Sequence, residues 1–404
     1  MRQSRNNEAD DAVERARRLW WLRGACFLQL VAMGTIFSFE TVWMREHGLG
    51  ETTIGVLLSV ATALVLTTGI GWGILADRTG RPAWIAAGGC LSMAGALFLL
   101  AHCREPSHFA AYAVLRGVSY PMIWNIMPLL AVSVLAGRAA GRGYGSYRIF
   151  GSMGYILATL VLPRLLPDIG VLLMLAAGAM LLAYLPLRAG RFPVQRRHQH
   201  GGWRELLTNH EMLGLFAAAF FFAMANPAIY AFLPVYARGL GADVEFIGLL
   251  LACNGIIGLI AMPVCGQIVD RFGPRRMLWL AFLAQPLRLA SYSLVGDYRW
   301  LIAPQALHFF TWAGLEVSTV LFITRLAGEG RSATAMSGYM GMHVLGGMVG
   351  VSVAGLVAEN LSYAVMFRGS ALCATIGLLV FTVVLLHLRR RERATPRAVP
   401  ATET

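Results

Sequence analysis

Apolar runs of about 20 residues or more recur along the whole chain, and each is long enough to cross a hydrocarbon core of about 30 Å as a helix. They fall near 21–44, 52–76, 83–101, 108–136, 146–166, 168–187, 211–237, 244–269, 276–296, 300–325, 333–358 and 364–388, about twelve in all. Only 14% of the 404 residues are charged and 57% are hydrophobic, with a mean hydropathy of +0.61. That leaves too little polar surface to face water on all sides. In lipid every backbone amide must be paired internally, so runs of this length predict helices, not barrel strands. The expected class is an all-α integral membrane protein with lipid as its solvent.

The net charge of +13 raises the question of nucleic acid, and its placement argues against that partner. Basic residues gather before the first run and in alternate loops: Arg15, Arg17 and Arg18; Arg78 and Arg81; Arg138 and Arg142; Arg188 to Arg204; Arg271 to Arg276; Arg325 and Arg331; Arg389 to Arg393. The intervening loops hold single arginines such as Arg45, Arg104 and Arg238, offset by Glu46, Glu51, Glu105, Asp168, Asp243, Glu245 and Asp297. This is the asymmetry of the positive-inside rule, and it predicts that both termini are cytoplasmic. All 34 basic residues are Arg; a GC-rich genome explains that better than any physical need. The six cysteines form no Cys-x-x-Cys pair and read as small apolar fillers. No short apolar segment with a cleavage-type end precedes the first full run, so no removable signal is expected.

A repeat divides the chain. Gly73-Ile-Leu-Ala-Asp77-Arg78-Thr-Gly80-Arg81 is answered by Gly266-Gln-Ile-Val-Asp270-Arg271-Phe-Gly273-Pro-Arg275-Arg276, with Asp77 and Asp270 193 positions apart (270 − 77). Gly48-Leu-Gly and Ile54-Gly-Val-Leu-Leu are answered by Gly239-Leu-Gly and Ile247-Gly-Leu-Leu-Leu. The one long polar break, Arg188 to Arg204, lies near the middle. These features predict two pseudo-symmetric six-helix bundles at 21–188 and 211–388, an N-terminal tail at 1–20, a cytoplasmic linker at 189–210 and a tail at 389–404.

The doubled Gly-x-x-x-Asp-Arg-x-Gly-Arg motif, at a tight turn between paired runs, resembles the signature of the major facilitator superfamily, and the resemblance covers nearly the whole chain. It implies a secondary transporter in a bacterial inner membrane. In that family the cluster latches the two halves at the cytoplasmic side, which gives Gly73, Asp77, Arg78, Gly80, Arg81, Gly266, Asp270, Arg271, Gly273 and Arg275 a conformational role. Pro82 departs from the usual basic residue. Glycines at 145, 151 and 154, and at 338, 341, 346, 347, 350 and 355, offer small faces for close helix packing.

Tyr144-Gly-Ser-Tyr-Arg148-Ile-Phe-Gly151-Ser-Met-Gly154 is similar to a segment of the branch that holds the lactose permease, the phenylpropionate permease and the nucleoside:proton symporters. An arginine at this depth is costly unless paired or wetted, so Arg148 is a candidate solute ligand; the plainer reading is a snorkelling arginine. Arg288 and His308 are separated by 20 residues (308 − 288), the spacing of a proton-coupling pair in the lactose permease. Imidazole titrates near neutral pH, and a guanidinium beside it sets its proton affinity, so the pair suits proton coupling, with a hydrogen-bonded structural His308 as the alternative. The acids that complete that relay are replaced here by Thr311 and by Asn254-Gly255. Glu316, eight residues past His308 and so roughly two turns on, is the expected substitute. Glu40, late in the first run, is expected to face the cavity as a protonatable site or a partner for a cationic substrate, with an outer end bathed in water as the alternative. Arg116 resembles the family's membrane arginine near the central cavity, unless it serves as structural glue in an ion pair with Glu40 or another acid.

Asn125, Trp124, Asn226, Tyr230 and Trp312 supply the amides and aromatic faces that a midplane pocket for a small organic solute needs, although packing accounts for most such residues. His343 reads as packed. No phosphate-binding loop, nucleophile elbow or His-Glu-x-x-His is present, so neither enzyme chemistry nor ATP-driven pumping is expected. His198 and His200 lack companion ligands, and no metal or cofactor is expected beyond a proton as coupling ion. The reading is a monomeric, proton-coupled symporter of a small organic solute. Proton-coupled efflux of drugs or sugars is the alternative, and a nontransporting sensor or scaffold, motivated by the missing acids, the more distant one.

Overall fold

The computed structural model describes residues 2–134, 140–190, 192, 206, 208–327 and 331–394. Arg138, most of the linker with His198 and His200, and the last ten positions lie outside them. Twelve helical spans follow in order: α1 Arg2–Glu46, α2 Glu51–Thr79, α3 Pro82–Ala101, α4 Pro106–Val134, α5 from Ala140–Ile156 through a π turn at Leu157–Val161 to Leu162–Leu165, and α6 Ile169–Ala189. The second half holds α7 His210–Gly239, α8 Val244–Phe272, α9 Pro274–Tyr292, α10 Tyr298–Ala327, α11 Ser332–Asn360 and α12 Tyr363–Ala394. No strand occurs among the described residues. The polar stretch ahead of residue 21 is not a separate coil: α1 is continuous from Arg2.

Ten of the twelve are long and apolar enough to cross a membrane by composition alone. The other two, α5 and α9, fall short because they carry Arg148 and Arg164, and Arg275, Arg276 and Arg288. A polar helix among eleven others is affordable only where its guanidiniums are wetted or hydrogen-bonded, so these two spans mark where polar chemistry sits inside the bundle.

The bundles repeat each other contact for contact. In the first, α1 packs on α5 and α6, α3 on α4 and α6, and α2 on α4; in the second, α7 packs on α11 and α12, α9 on α10 and α12, and α8 on α10. Glycines make the closest crossings. A Cβ at Gly154 would collide with the Phe27 carbonyl of α1, and one at Gly350 with the Met224 carbonyl of α7. These are equivalent places in the two repeats. Gly80 and Gly273, just past α2 and α8, have φ of 63° and 84°, a region that side chains with a Cβ rarely adopt.

An even number of spans places both chain ends on one face. At the opposite face the bundles are joined. Arg238 of α7 meets Glu46 at 2.7 Å, Arg164 of α5 meets Glu245 of α8 at 2.7 Å, the Thr52 amide donates to Glu359 at 2.6 Å, and the Tyr363 hydroxyl donates to Glu51 at 2.7 Å. Nearer the middle, Ser59 donates to the Met348 carbonyl at 3.1 Å, and a Cβ at Gly55 would stand 2.6 Å from the Val351 carbonyl oxygen. Toward the terminus-bearing face the helices diverge: α2 is buried at Glu51, Ile54, Gly55, Leu58 and Ala61, and past that point only at Ala76.

Candidate functional site

The polar interior of the second bundle is organised by Arg288, which is fully buried. Its Nη1 donates to His308 Nδ1 at 3.1 Å and to Thr311 Oγ1 at 3.1 Å. Its Nη2 donates to Asn254 Oδ1 at 3.2 Å and, by a short bond, to Gln305 Oε1. The hydroxyls of Tyr230 and Tyr292 flank it. Among the described residues no carboxylate lies within 4.0 Å of the guanidinium. An imidazole that accepts at Nδ1 carries its proton on Nε2, so His308 is neutral here.

Local backbone explains how His308 reaches this place. The first part of α10 is a 3₁₀ helix, Tyr298–Leu307, containing Pro304, and a π segment, Phe309–Gly314, follows at once. His308 is the hinge between them, and such irregular turns concentrate at functional positions. Trp312 stacks on the imidazole, with centroids 5.7 Å apart and planes at 10°. Asn226, where α7 breaks before Pro227, accepts from Gln285 Nε2 at 2.7 Å.

The first bundle contains a different polar core. Glu40 of α1 accepts from the Tyr112 hydroxyl at 2.8 Å and pairs with Arg116 of α4 at 3.2 Å. Glu40 is buried. It faces neither an open cavity nor outer water in this state, because Tyr112 and Arg116 cover it; Arg116 is its ion-pair partner. Tyr120 and Trp124 stack with centroids 5.4 Å apart, and Asn125, beyond Pro121, lies against Gly69 of α2.

Arg148 and Glu316 are both exposed and lie on opposite bundles, close enough for the Arg148 charge to act on the Glu316 carboxylate. Tyr339 of α11 lies within reach of the same carboxylate. Glu316 and His308 are not brought together: the charge that acts on His308 is Arg288. The intervening π segment widens the turn, so the two-turn spacing does not leave both on one face. Above this opening Tyr155 of α5 donates to the Leu251 carbonyl at 3.4 Å and lies beside Tyr230. Sequence reasoning missed Tyr112, Tyr155 and Gln285, since nothing along the chain links them to their partners.

The motif residues Asp77, Arg78, Arg81, Asp270 and Arg271 are exposed at the terminus-bearing face. Neither aspartate makes an ion pair among the described residues. Among the described residues no group of three potential metal ligands occurs.

Residues 19–369 match the model of the MFS_1 like family. The maltose permease of Geobacillus stearothermophilus is 26% identical over 385 residues, covering 91% of this chain and 93% of that protein. The multidrug resistance protein MdtG of Salmonella typhimurium strain LT2 is 24% identical over 397 residues, covering 93% and 95%. Among solved structures, the nucleoside transporter NupG superposes with a TM-score of 0.79 at 16% identity, covering 91% of this chain and 99% of that one. A bacterial homolog of the human lysosomal transporter Spinster, inward-facing and unoccupied, gives 0.67 at 14% identity, covering 92% and 95%. With two like bundles shut at one face and parted at the other, and a family match over most of its length, the chain belongs to the MFS_1 like family of the major facilitator superfamily, and is a membrane transporter and not an enzyme.

Proposed function

We propose that the protein is a proton-coupled symporter that carries a small organic solute by alternating access across a bacterial inner membrane, with both termini in the cytoplasm. The observation that carries the reading is the opening between the bundles, closed at one face by Arg238–Glu46 and Arg164–Glu245 and exposing Arg148 and Glu316 from opposite sides. The arginine-rich loops lie on the open face, which the positive-inside rule makes cytoplasmic, so this state is inward-open.

Glu316 is the proton site in this reading. It is exposed, and the Arg148 charge on α5 and Tyr339 on α11 lie close enough to interact with it. Neutralising it removes the negative charge on which Arg148 acts. His308 holds Arg288 as a neutral acceptor, and protonating it would set two cations 3.1 Å apart. In proteoliposomes, counterflow of a labelled solute from a panel of sugars, nucleosides, aromatic acids and lipophilic cations tests the carrier. Glu316→Gln should keep exchange and lose accumulation driven by a pH gradient. His308→Gln, whose amide oxygen replaces Nδ1 as acceptor, should keep both. The reverse pattern returns the proton to His308, and no counterflow of any solute favours a nontransporting scaffold.

Efflux is the second reading, favoured by the likeness to MdtG. It predicts that an outward pH gradient drives solute in the opposite sense.

A further inference from the structure

Arg288 is a buried cation without an anion. A guanidinium removed from water costs several kcal/mol, and a carboxylate partner ordinarily offsets it. Here the four acceptors that surround it, His308, Thr311, Asn254 and Gln305, are all neutral. They take up its Nη hydrogens, while its Nε–H stays without a partner, and they leave its charge. The amides also face a problem of their own: Asn254 Nδ2 and Gln305 Nε2 are buried donors with no partner, although both side chains are more than nine-tenths buried. Unspent donors next to an unspent positive charge call for an acceptor that is itself negative.

The residue types make this reversible. An aspartate or glutamate would neutralise Arg288 permanently. Asn254 and Gln305 instead exchange acceptor for donor by turning their amides over, so the groups that screen the arginine when the site is empty bind an anion when it is filled.

We propose that Arg288, Asn254 and Gln305 form an anion subsite in the second bundle that receives a negatively charged group, either the carboxylate of the carried solute or a free small anion. This rests on the transporter reading and narrows the solute class. Thr311 and His308 sit at its edge, 5% and 3% exposed, and the indole of Trp312 is stacked on His308.

Thermal stability of the purified full chain in detergent tests it without requiring transport. The probes are sodium benzoate, sodium chloride and neutral benzamide at matched ionic strength. Benzoate should raise the melting temperature by about 3 °C or more at saturation, and benzamide should not. Asn254→Asp, which gives Arg288 a fixed carboxylate and guards against a poorly folding Arg288→Gln, should abolish the rise. A rise with benzoate alone assigns the subsite to the solute's carboxylate; a rise with chloride as well assigns it to a free anion. No rise with either anion, an equal rise with benzamide, or a rise that survives in Asn254→Asp and Arg288→Gln overturns the proposal. An anion shift without counterflow would leave the subsite and remove the carrier. Counterflow of neutral solutes with no anion shift would do the opposite.

Discussion

The two bundles share a backbone plan and differ in how they treat buried charge. In the first, Glu40 and Arg116 neutralise each other, with Tyr112 completing the carboxylate's bonds. In the second, Arg288 is held by neutral acceptors. The repeats can be aligned at this depth: His308 follows Arg116 by 192 positions (308 − 116), against 193 for the motif aspartates. Where the first repeat has a cation with its own acid, the second has an imidazole serving a cation that lacks one. A closed ion pair stabilises a rigid half; an open one leaves a charge for something that comes and goes.

The largest expected effect lies in the first bundle. Glu40→Gln strands Arg116 as a buried, uncompensated charge and should cost about 3–5 kcal/mol, read as a fall in melting temperature in detergent. The double variant Glu40→Gln with Arg116→Gln should recover most of that loss, because the pair acts as a unit. If the two substitutions simply add, the first bundle does not hold a coupled pair and the contrast between the halves disappears.

Packing should not share the asymmetry. Gly154→Ala and Gly350→Ala each drive a methyl into a facing carbonyl, of Phe27 and Met224, and overpacking of this kind costs about 1–3 kcal/mol. The two variants should melt within about 0.5 kcal/mol of each other. A large difference would show that the repeats are equivalent in outline and not in contact.

The third effect has the opposite sign. Asn254→Asp places a carboxylate where a neutral oxygen now accepts from Arg288 at 3.2 Å, and a charged hydrogen bond contributes about 1.5 kcal/mol or more. The variant should melt higher than the natural chain. If it melts lower, Arg288 is already compensated and the second bundle resembles the first.

What the sequence made legible follows from periodicity and repetition. The spans, the two halves and the turns at Gly80 and Gly273 are local properties, written as apolar runs and a doubled motif. The Arg288–His308 contact was legible through a resemblance in spacing. Glu40 was visible as an anomaly, but its partner Tyr112 lies 72 positions away, and no pattern along a helix joins them. The place of Glu316 is not legible, for a physical reason. Counting 3.6 residues per turn across Phe309–Gly314 ignores the π segment and puts the carboxylate beside His308, whereas the charge that acts on it is Arg148. The irregular turns that make a site also spoil the arithmetic used to find it.

The smallest effects are expected where the halves meet each other. Arg238–Glu46 and Arg164–Glu245 are partly exposed pairs at 2.7 Å, and such pairs contribute less than about 1 kcal/mol each. Weakness suits the place: a face that must open in each cycle cannot be held by bonds comparable to Glu40–Arg116. Glu245→Arg should therefore leave the melting temperature nearly unchanged. It should still shift the balance between open and closed forms, since like charges at Arg164 and position 245 disfavour only the state in which they touch. A single cysteine at Val235, which is buried at this face, reports the balance through its rate of alkylation. That rate should rise several-fold in Glu245→Arg, consistent with a bias under about 1.4 kcal/mol, and fall back when Arg164→Glu restores the pair in reverse. An unchanged rate would mean that the glycine crossings at Gly55 and Gly355 close this face on their own, and that the two halves part against packing and not against charge.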